Sequence, residues 1–130
     1  MDIIEAVKKK YNGNIRLSPP LDDERYEQAK KILPAELAEI LHISDGILET
    51  MPHPKTGEIM DIYYIVDTFE NILSETKRYR EDHGGDGIAF AGNGAGDSYV
   101  LKPDGRVFLR EYIDDDEEFC ADSLADFFEK

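Results

Sequence analysis

Three glycines at alternate positions, Gly92, Gly94 and Gly96, followed at once by Asp97, are the residues of this 130-residue chain that most resemble a ligand-binding loop. Glycine-rich loops cradle phosphates when their N–H groups converge at the start of a helix. A P-loop needs Lys-Ser or Lys-Thr after its last glycine, and a dinucleotide fingerprint needs G-x-G-x-x-G opening a helix. Here the spacing is G-x-G-x-G, and Asp97 leads into the strand-like run Tyr99 to Leu101. Nucleotide binding is therefore not expected. The loop reads as a structural turn, its glycines reaching positive φ or allowing close approach, and the Asp97 carboxylate accepting N–H groups within the loop.

The other candidates for chemistry are acidic, thiol and imidazole groups. Asp114, Asp115, Asp116, Glu117 and Glu118 form an unbroken acidic run. A calcium loop interleaves its oxygen ligands with other residues and a glycine at a fixed turn, so five acids in a row do not make one. Cys120, the single cysteine, lies between Phe119 and Ala121 and reads as a small core residue, not a nucleophile. His42, His53 and His83 share no metal-ligand spacing, and His83 stands where it can complement a helix C-terminus. No metal or cofactor is expected. A small hydrolase using Asp97 with a neighbouring carboxylate ranks below any binding role.

The net charge is −14, and its distribution matters more than its size. Residues 1–110 carry 20 acidic and 14 basic side chains, whereas residues 111–130 carry 9 acidic and 1 basic. More than half of the excess sits in the last twenty residues. Such a field repels nucleic acid and anionic membranes and attracts basic partners. The start of the chain lacks a sustained apolar core and nowhere do 18 apolar residues run together, so a cytoplasmic protein is expected. The length suits one domain.

The elements that would hold these groups follow from periodicity. Ile3, Ile4 and Val7 edge a short helix ending near Tyr11, and Ser18-Pro19-Pro20 breaks the chain. A second helix begins within Leu21 to Glu24, carries Tyr26, Ala29 and Leu33, and stops at Pro34. That proline also suits the first position of a third helix, with Leu37, Ile40 and Leu41 inward and Ser44-Asp45-Gly46 at its end. Ile47 to Gly57 reads as a loop or irregular hairpin, and Ile59 to Val66 as a strand covered on both faces. Asp67 with Glu70 forms a capping box for a helix that turns Phe69, Ile72, Leu73, Thr76 and Tyr79 inward and ends at Gly84-Gly85. A strand, the glycine loop and a hairpin turning at Lys102-Pro103-Asp104-Gly105 come next. Tyr99 and Leu101, then Val107 and Leu109, give its strands an apolar face. The acidic run reads as a loop, and Ser123 with Asp126 opens a short helix docking Leu124, Phe127 and Phe128.

Three segments together carry a family resemblance: Leu33-Pro34 opening a helix that ends on Asp45-Gly46, Phe90 to Asp97 leading into a hairpin, and Ala121 to Phe128. From about Pro19 onward the chain resembles the SUKH superfamily, and within it the branch named after fungal cell-wall-assembly regulators of the Smi and Knr type. The helix before Gly46 commonly ends in Asn-Gly in that family, where Asp45-Gly46 stands here, and the following segment lacks the tryptophan often found there. The resemblance implies an α+β fold, a single domain with a mainly antiparallel sheet packed with helices, and no catalytic residues. It further implies a protein-binding role, either as an immunity protein neutralising a cognate secreted toxin, often a nuclease, or as an intracellular regulatory scaffold. The acidic run from Asp114 to Glu118 is then the expected contact with a basic toxin domain.

Overall fold

The computed structural model describes residues 3–129. Helix α1 (Ile3–Lys10) leads through Asn12-Gly13, both at positive φ, into a three-residue strand β1 (Ile15–Leu17) that the sequence patterning does not reveal. Helix α2 (Asp23–Ile32) starts on the Asp22 carboxylate, which accepts the Arg25 N–H at 2.8 Å. Helix α3 (Ala35–Ile43) follows after Pro34, which occupies the N-cap position with extended ψ instead of being the first helical residue. Strands β2 (Ile47–Pro52) and β3 (Ile59–Val66) form a hairpin whose register shifts twice, so the irregular-hairpin reading of this segment holds and its first half is a strand. Helix α4 (Phe69–Asp82), strands β4 (Ile88–Gly92), β5 (Ser98–Leu101), β6 (Val107–Arg110) and β7 (Glu117–Ala121), and helix α5 (Leu124–Glu129) complete the chain.

All strand pairs are antiparallel, in a three-stranded sheet β1-β2-β3 and a four-stranded meander β4-β5-β6-β7. The two meet where the Asp67 N–H donates to the Phe90 carbonyl at 2.8 Å. The meander is covered on both faces. Tyr79 of α4 packs on Ala89 and Val100 on one side, and on the other Phe127 lies 4.7 Å from Tyr99 and 5.6 Å from Phe90, centroid to centroid. Leu37, Leu41, Ile47, Val66, Phe69, Ile72, Phe90, Val107 and Phe128 join in one core. The α+β expectation is met, with two antiparallel sheets.

Three local expectations are corrected. Strand β3 is an edge strand, not a central one: its first half pairs only with β2 and leaves Ile59, Met60 and Ile62 exposed, Tyr63 packs on the core half-buried, and only Ile65 and Val66 are fully buried in it. The cap of α4 is Thr68, whose Oγ1 accepts the Asn71 N–H at 3.2 Å, because the Asp67 backbone is drawn into the contact with β4 and the helix can begin only after it. The Phe69 N–H instead finds the carboxylate of Asp45 at 2.8 Å, so Ser44-Asp45-Gly46 both ends α3 and caps α4. Leu73 points outward, 38% exposed, since Ile72 and Thr76 already fill the inward face.

Candidate functional site

The acidic run divides between a turn and a strand. Residues 111–116 form a closed turn in which the Glu111 N–H donates to the Asp116 carbonyl at 2.8 Å, and Glu117 and Glu118 begin β7, where a loop was expected. Successive strand residues point to opposite faces of a sheet. Glu117 is the register partner of Arg110 and Glu118 of Leu109, so the two glutamates leave β7 on different sides. The five acids therefore do not share one surface.

Two of them are committed to the body of the protein. Asp115, at φ 55°, lies 2.7 Å from Nε of Arg110 and 2.9 Å from Nδ1 of His83. The Arg110 side chain is only 7% exposed, lying 5.4 Å over the Tyr79 ring. An ionised carboxylate only accepts, so His83 donates through Nδ1. The hydrogen bonds from His83 and Arg110 hold the Asp115 carboxyl below its usual range. Glu117 accepts from Lys102 Nζ at 2.8 Å and from the Tyr79 hydroxyl at 2.5 Å. Burial acts to raise the Glu117 pKa, yet these donors bring it below the ordinary value. Lys102 also donates to the Tyr79 hydroxyl at 2.7 Å, and despite its own burial its pKa is raised by the same partners. His83, at the end of α4, thus does more than complement the helix: with Arg110 and Lys102 it clamps β7 and the turn onto α4.

The glycine loop braces the same turn from the other end. Gly94 and Gly96 have φ of +81° and +92°, as the alternating spacing suggested, whereas Gly92 ends β4 without a left-handed φ. The loop N–H groups of Ala95 and Asp97 go to Asn93 Oδ1, at 2.9 and 3.3 Å, and not to Asp97. Asp97 reaches outward: Oδ1 accepts the Tyr112 N–H at 3.2 Å, and Oδ2 accepts from the Asn93 amide at 3.2 Å. Two guanidinium groups approach the Tyr112 ring, Arg78 at 4.9 Å and Arg110 at 5.6 Å from its centroid.

Glu111, Asp114 and Asp116 of the turn and Glu118 of β7 are exposed and without an ion pair among the described residues, and Ile113 within the turn is 92% exposed. Carboxylate oxygens of Glu111, Asp114 and Asp116 lie within 4.8 Å of one another, so their charges repel and the turn holds its shape through the clamp beneath. Patterning singled out the acids and missed Tyr79, Lys102, Arg110, Tyr112 and Ile113. One signal was there: Arg110 falls in phase with Phe108 on a strand whose two sides are both covered. Cys120 is half-buried, and burial pushes its thiol up, away from the thiolate a nucleophile needs.

A family model described as the SMI1 / KNR4 family (SUKH-1) matches residues 22–130. The chain belongs to that family. Comparison with curated proteins and with solved structures finds no significant match. The SUKH-1 match starts at the N-cap of α2 and takes in the glycine loop, the clamp and the acidic turn. It leaves out α1 and β1, which this SUKH-1 domain nonetheless packs against α5 and pairs with β2. Among the described residues, no helix is long and apolar enough to cross a membrane.

Proposed function

We propose that this SUKH-1 domain works by binding and not by catalysis, as an immunity-type protein that neutralises a basic toxin domain through its β6–β7 turn. The observation that carries this reading is the braced turn. Glu111, Asp114, Asp116 and Glu118 are left uncompensated at the surface, while Arg110, Lys102 and His83 are held beneath to fix the frame. A segment ordered before the encounter loses little freedom on binding. An acidic surface speeds capture of a basic partner and discourages wrong ones. A nuclease that holds phosphates with Lys and Arg presents the complementary surface, and covering it would keep its substrate out. Ile113, 92% exposed within the same turn, adds an apolar contact.

The test is co-expression with the toxin domain encoded beside this protein, followed by stopped-flow association. The variant carrying Glu111→Gln, Asp114→Asn, Asp116→Asn and Glu118→Gln keeps Asp115 and Glu117 and so keeps the clamp. Its association rate is expected to fall toward roughly 10⁵–10⁶ M⁻¹s⁻¹ and to lose most of its salt dependence. An association rate and a salt dependence both unchanged in that variant would refute the acidic-turn mechanism, and failure of the wild type to protect would refute the pairing itself.

A further inference from the structure

Strand β7 closes the four-stranded meander and pairs with β6 alone. Among the described residues, the backbone of Glu117 to Ala121 makes no backbone hydrogen bond outside the sheet, and Cys120 Sγ on the Glu118 carbonyl at 3.5 Å is the one side-chain bond to it. Alternate N–H and C=O groups of an edge strand face away from its only neighbour, so β7 offers a row of them to another chain. Its register with β6 runs unbroken from Glu117 to Phe119, and the one irregularity, at Cys120, falls after that stretch. Strand β3, by contrast, is interrupted at Ile62, midway along its open side.

The side chains along this edge decide what can pair with it. Phe119 is 50% exposed, its ring edge-on to Phe108 at 5.7 Å, on the face that also carries Glu117. Glu118 leaves the strand on the other face. Asp114 and Asp116 precede the strand and Asp122 follows it, and these three and Glu118 are exposed and without an ion pair among the described residues. The neighbouring cations are already engaged. Arg110 and His83 are held by Asp115, Lys102 by Glu117 and Arg106 by Asp104, while Lys10, which lies toward Cys120, donates to the Phe127 carbonyl at 3.2 Å. Like charges placed opposite one another destabilise a strand pair, so a second copy of β7 is disfavoured here. The same uncompensated carboxylates favour a strand that carries cations.

We propose that a basic, extended segment of a partner protein adds to the free edge of β7 as a further strand of the meander. Its backbone pairs with Glu117 to Phe119, an apolar side chain lies against Phe119, and lysines or arginines on the other face meet Glu118 and the acids that flank the strand. Main-chain bonds supply the affinity in this mode, and alternate side chains supply the specificity. The inference rests on the reading of the β6–β7 turn as the site of a basic partner and gives that partner a conformation: the turn attracts it and the edge aligns it.

The probe is a synthetic peptide of alternating lysine and valine, set against its glutamine-valine version and against two forms of the same charge, N-methylated at every lysine or at every valine. Each methylated form blocks one edge of the extended peptide and leaves the other free. Binding is read by fluorescence anisotropy at low salt and located by amide hydrogen exchange. The lysine peptide should bind about tenfold more tightly than the glutamine one and slow exchange at alternate amides of Glu117 to Ala121. One methylated form should bind like the parent and the other should lose about tenfold or more. Glu118→Lys should cut the preference for lysine, and Phe119→Ser should weaken both peptides. Equal binding of the two methylated forms, or a bound lysine peptide that leaves β7 unprotected, would overturn strand addition while the electrostatic role of the turn stands. No binding of the lysine peptide would overturn it as well. Failure of the toxin pairing is read separately, in the co-expression, and does not alter what the methylated peptides decide.

Discussion

The carboxylate of Asp97 accepts the backbone N–H of Tyr112 at 3.2 Å and so ties the exit of the glycine loop to the entrance of the acidic turn. Its other oxygen takes the Asn93 amide, and Asn93 in turn receives two N–H groups of the loop. Asp97→Ala should therefore lower global stability by only about 1 kcal/mol while loosening a specific segment. Amide hydrogen exchange should speed up most at Tyr112 to Asp116. An equal change across all slowly exchanging amides would mean that Asp97 supports the whole fold and not the turn.

The three loop glycines should not be equivalent. Gly94 combines a positive φ with crowding, since a Cβ there would lie 3.2 Å from the Tyr63 ring, while Gly96 has the positive φ alone. Gly92 has neither constraint, its nearest would-be contact being 3.8 Å away. Gly94→Val is expected to cost about 2–4 kcal/mol, Gly96→Val about 1–2, and Gly92→Ala below about 1. Urea unfolding of the three variants gives the order. If Gly92→Ala proved the most damaging, the backbone account of this loop would fail.

Asp67 provides a test of electrostatics. It makes no side-chain hydrogen bond among the described residues, and burial, with the charge of Glu75 adding to it, raises its pKa to about 7. A carboxyl whose folded pKa lies above its unfolded value favours folding while protonated, and that contribution is lost as pH rises through the folded pKa. Asp67→Asn should thus leave stability near pH 4 unchanged and raise it above pH 7, by about 1–2 kcal/mol once partial solvent access is allowed for. Melting temperatures of both proteins across pH 4–8 measure this. A constant difference at every pH would show that the side chain acts through packing.

The clamp should behave with the opposite sign. Asp115 and Glu117 have folded pKa values below their ordinary ones, so their contribution is present above the unfolded carboxylate range and disappears as pH falls through the folded values. Glu117→Gln should cost about 1 kcal/mol at pH 7, and the gap should close below about pH 4. Acid titration of the melting temperature checks it. A gap that persists undiminished at the acid end would remove the Lys102 and Tyr79 donors as its cause.

Much of this architecture was legible in the sequence because helix periodicity and turn chemistry are local. Pro34, Gly46 and the Gly84-Gly85 pair mark boundaries wherever they stand, and Leu37, Leu41 and Phe128 declare a buried face by spacing alone. Misreadings arose where a distant segment decided the outcome. Whether Ile59 to Val66 is covered depends on what lies beside it, and whether Asp67 or Thr68 caps α4 depends on Phe90, a residue of another strand. Patterning likewise counted the five acids but not their cations. Arg110, Lys102 and His83 come to Asp115 and Glu117 only after β6, the β5–β6 turn and the end of α4 are packed together.

The open side of β3 bears on how solutions of this protein keep. Ile59, Met60 and Ile62 are exposed along a strand that pairs on one side only, an arrangement that invites another chain to add itself. The register jump between Glu49 and Thr50 leaves Ile62 without a partner on β2 and bends the ladder there, which makes a flat template hard to extend. In dilute buffer the net charge of −14 also holds copies apart. At about 1 M salt the screening length falls to roughly 3 Å. Only the kinked ladder then stands between neighbouring molecules, and concentrated stocks will keep longest at low ionic strength.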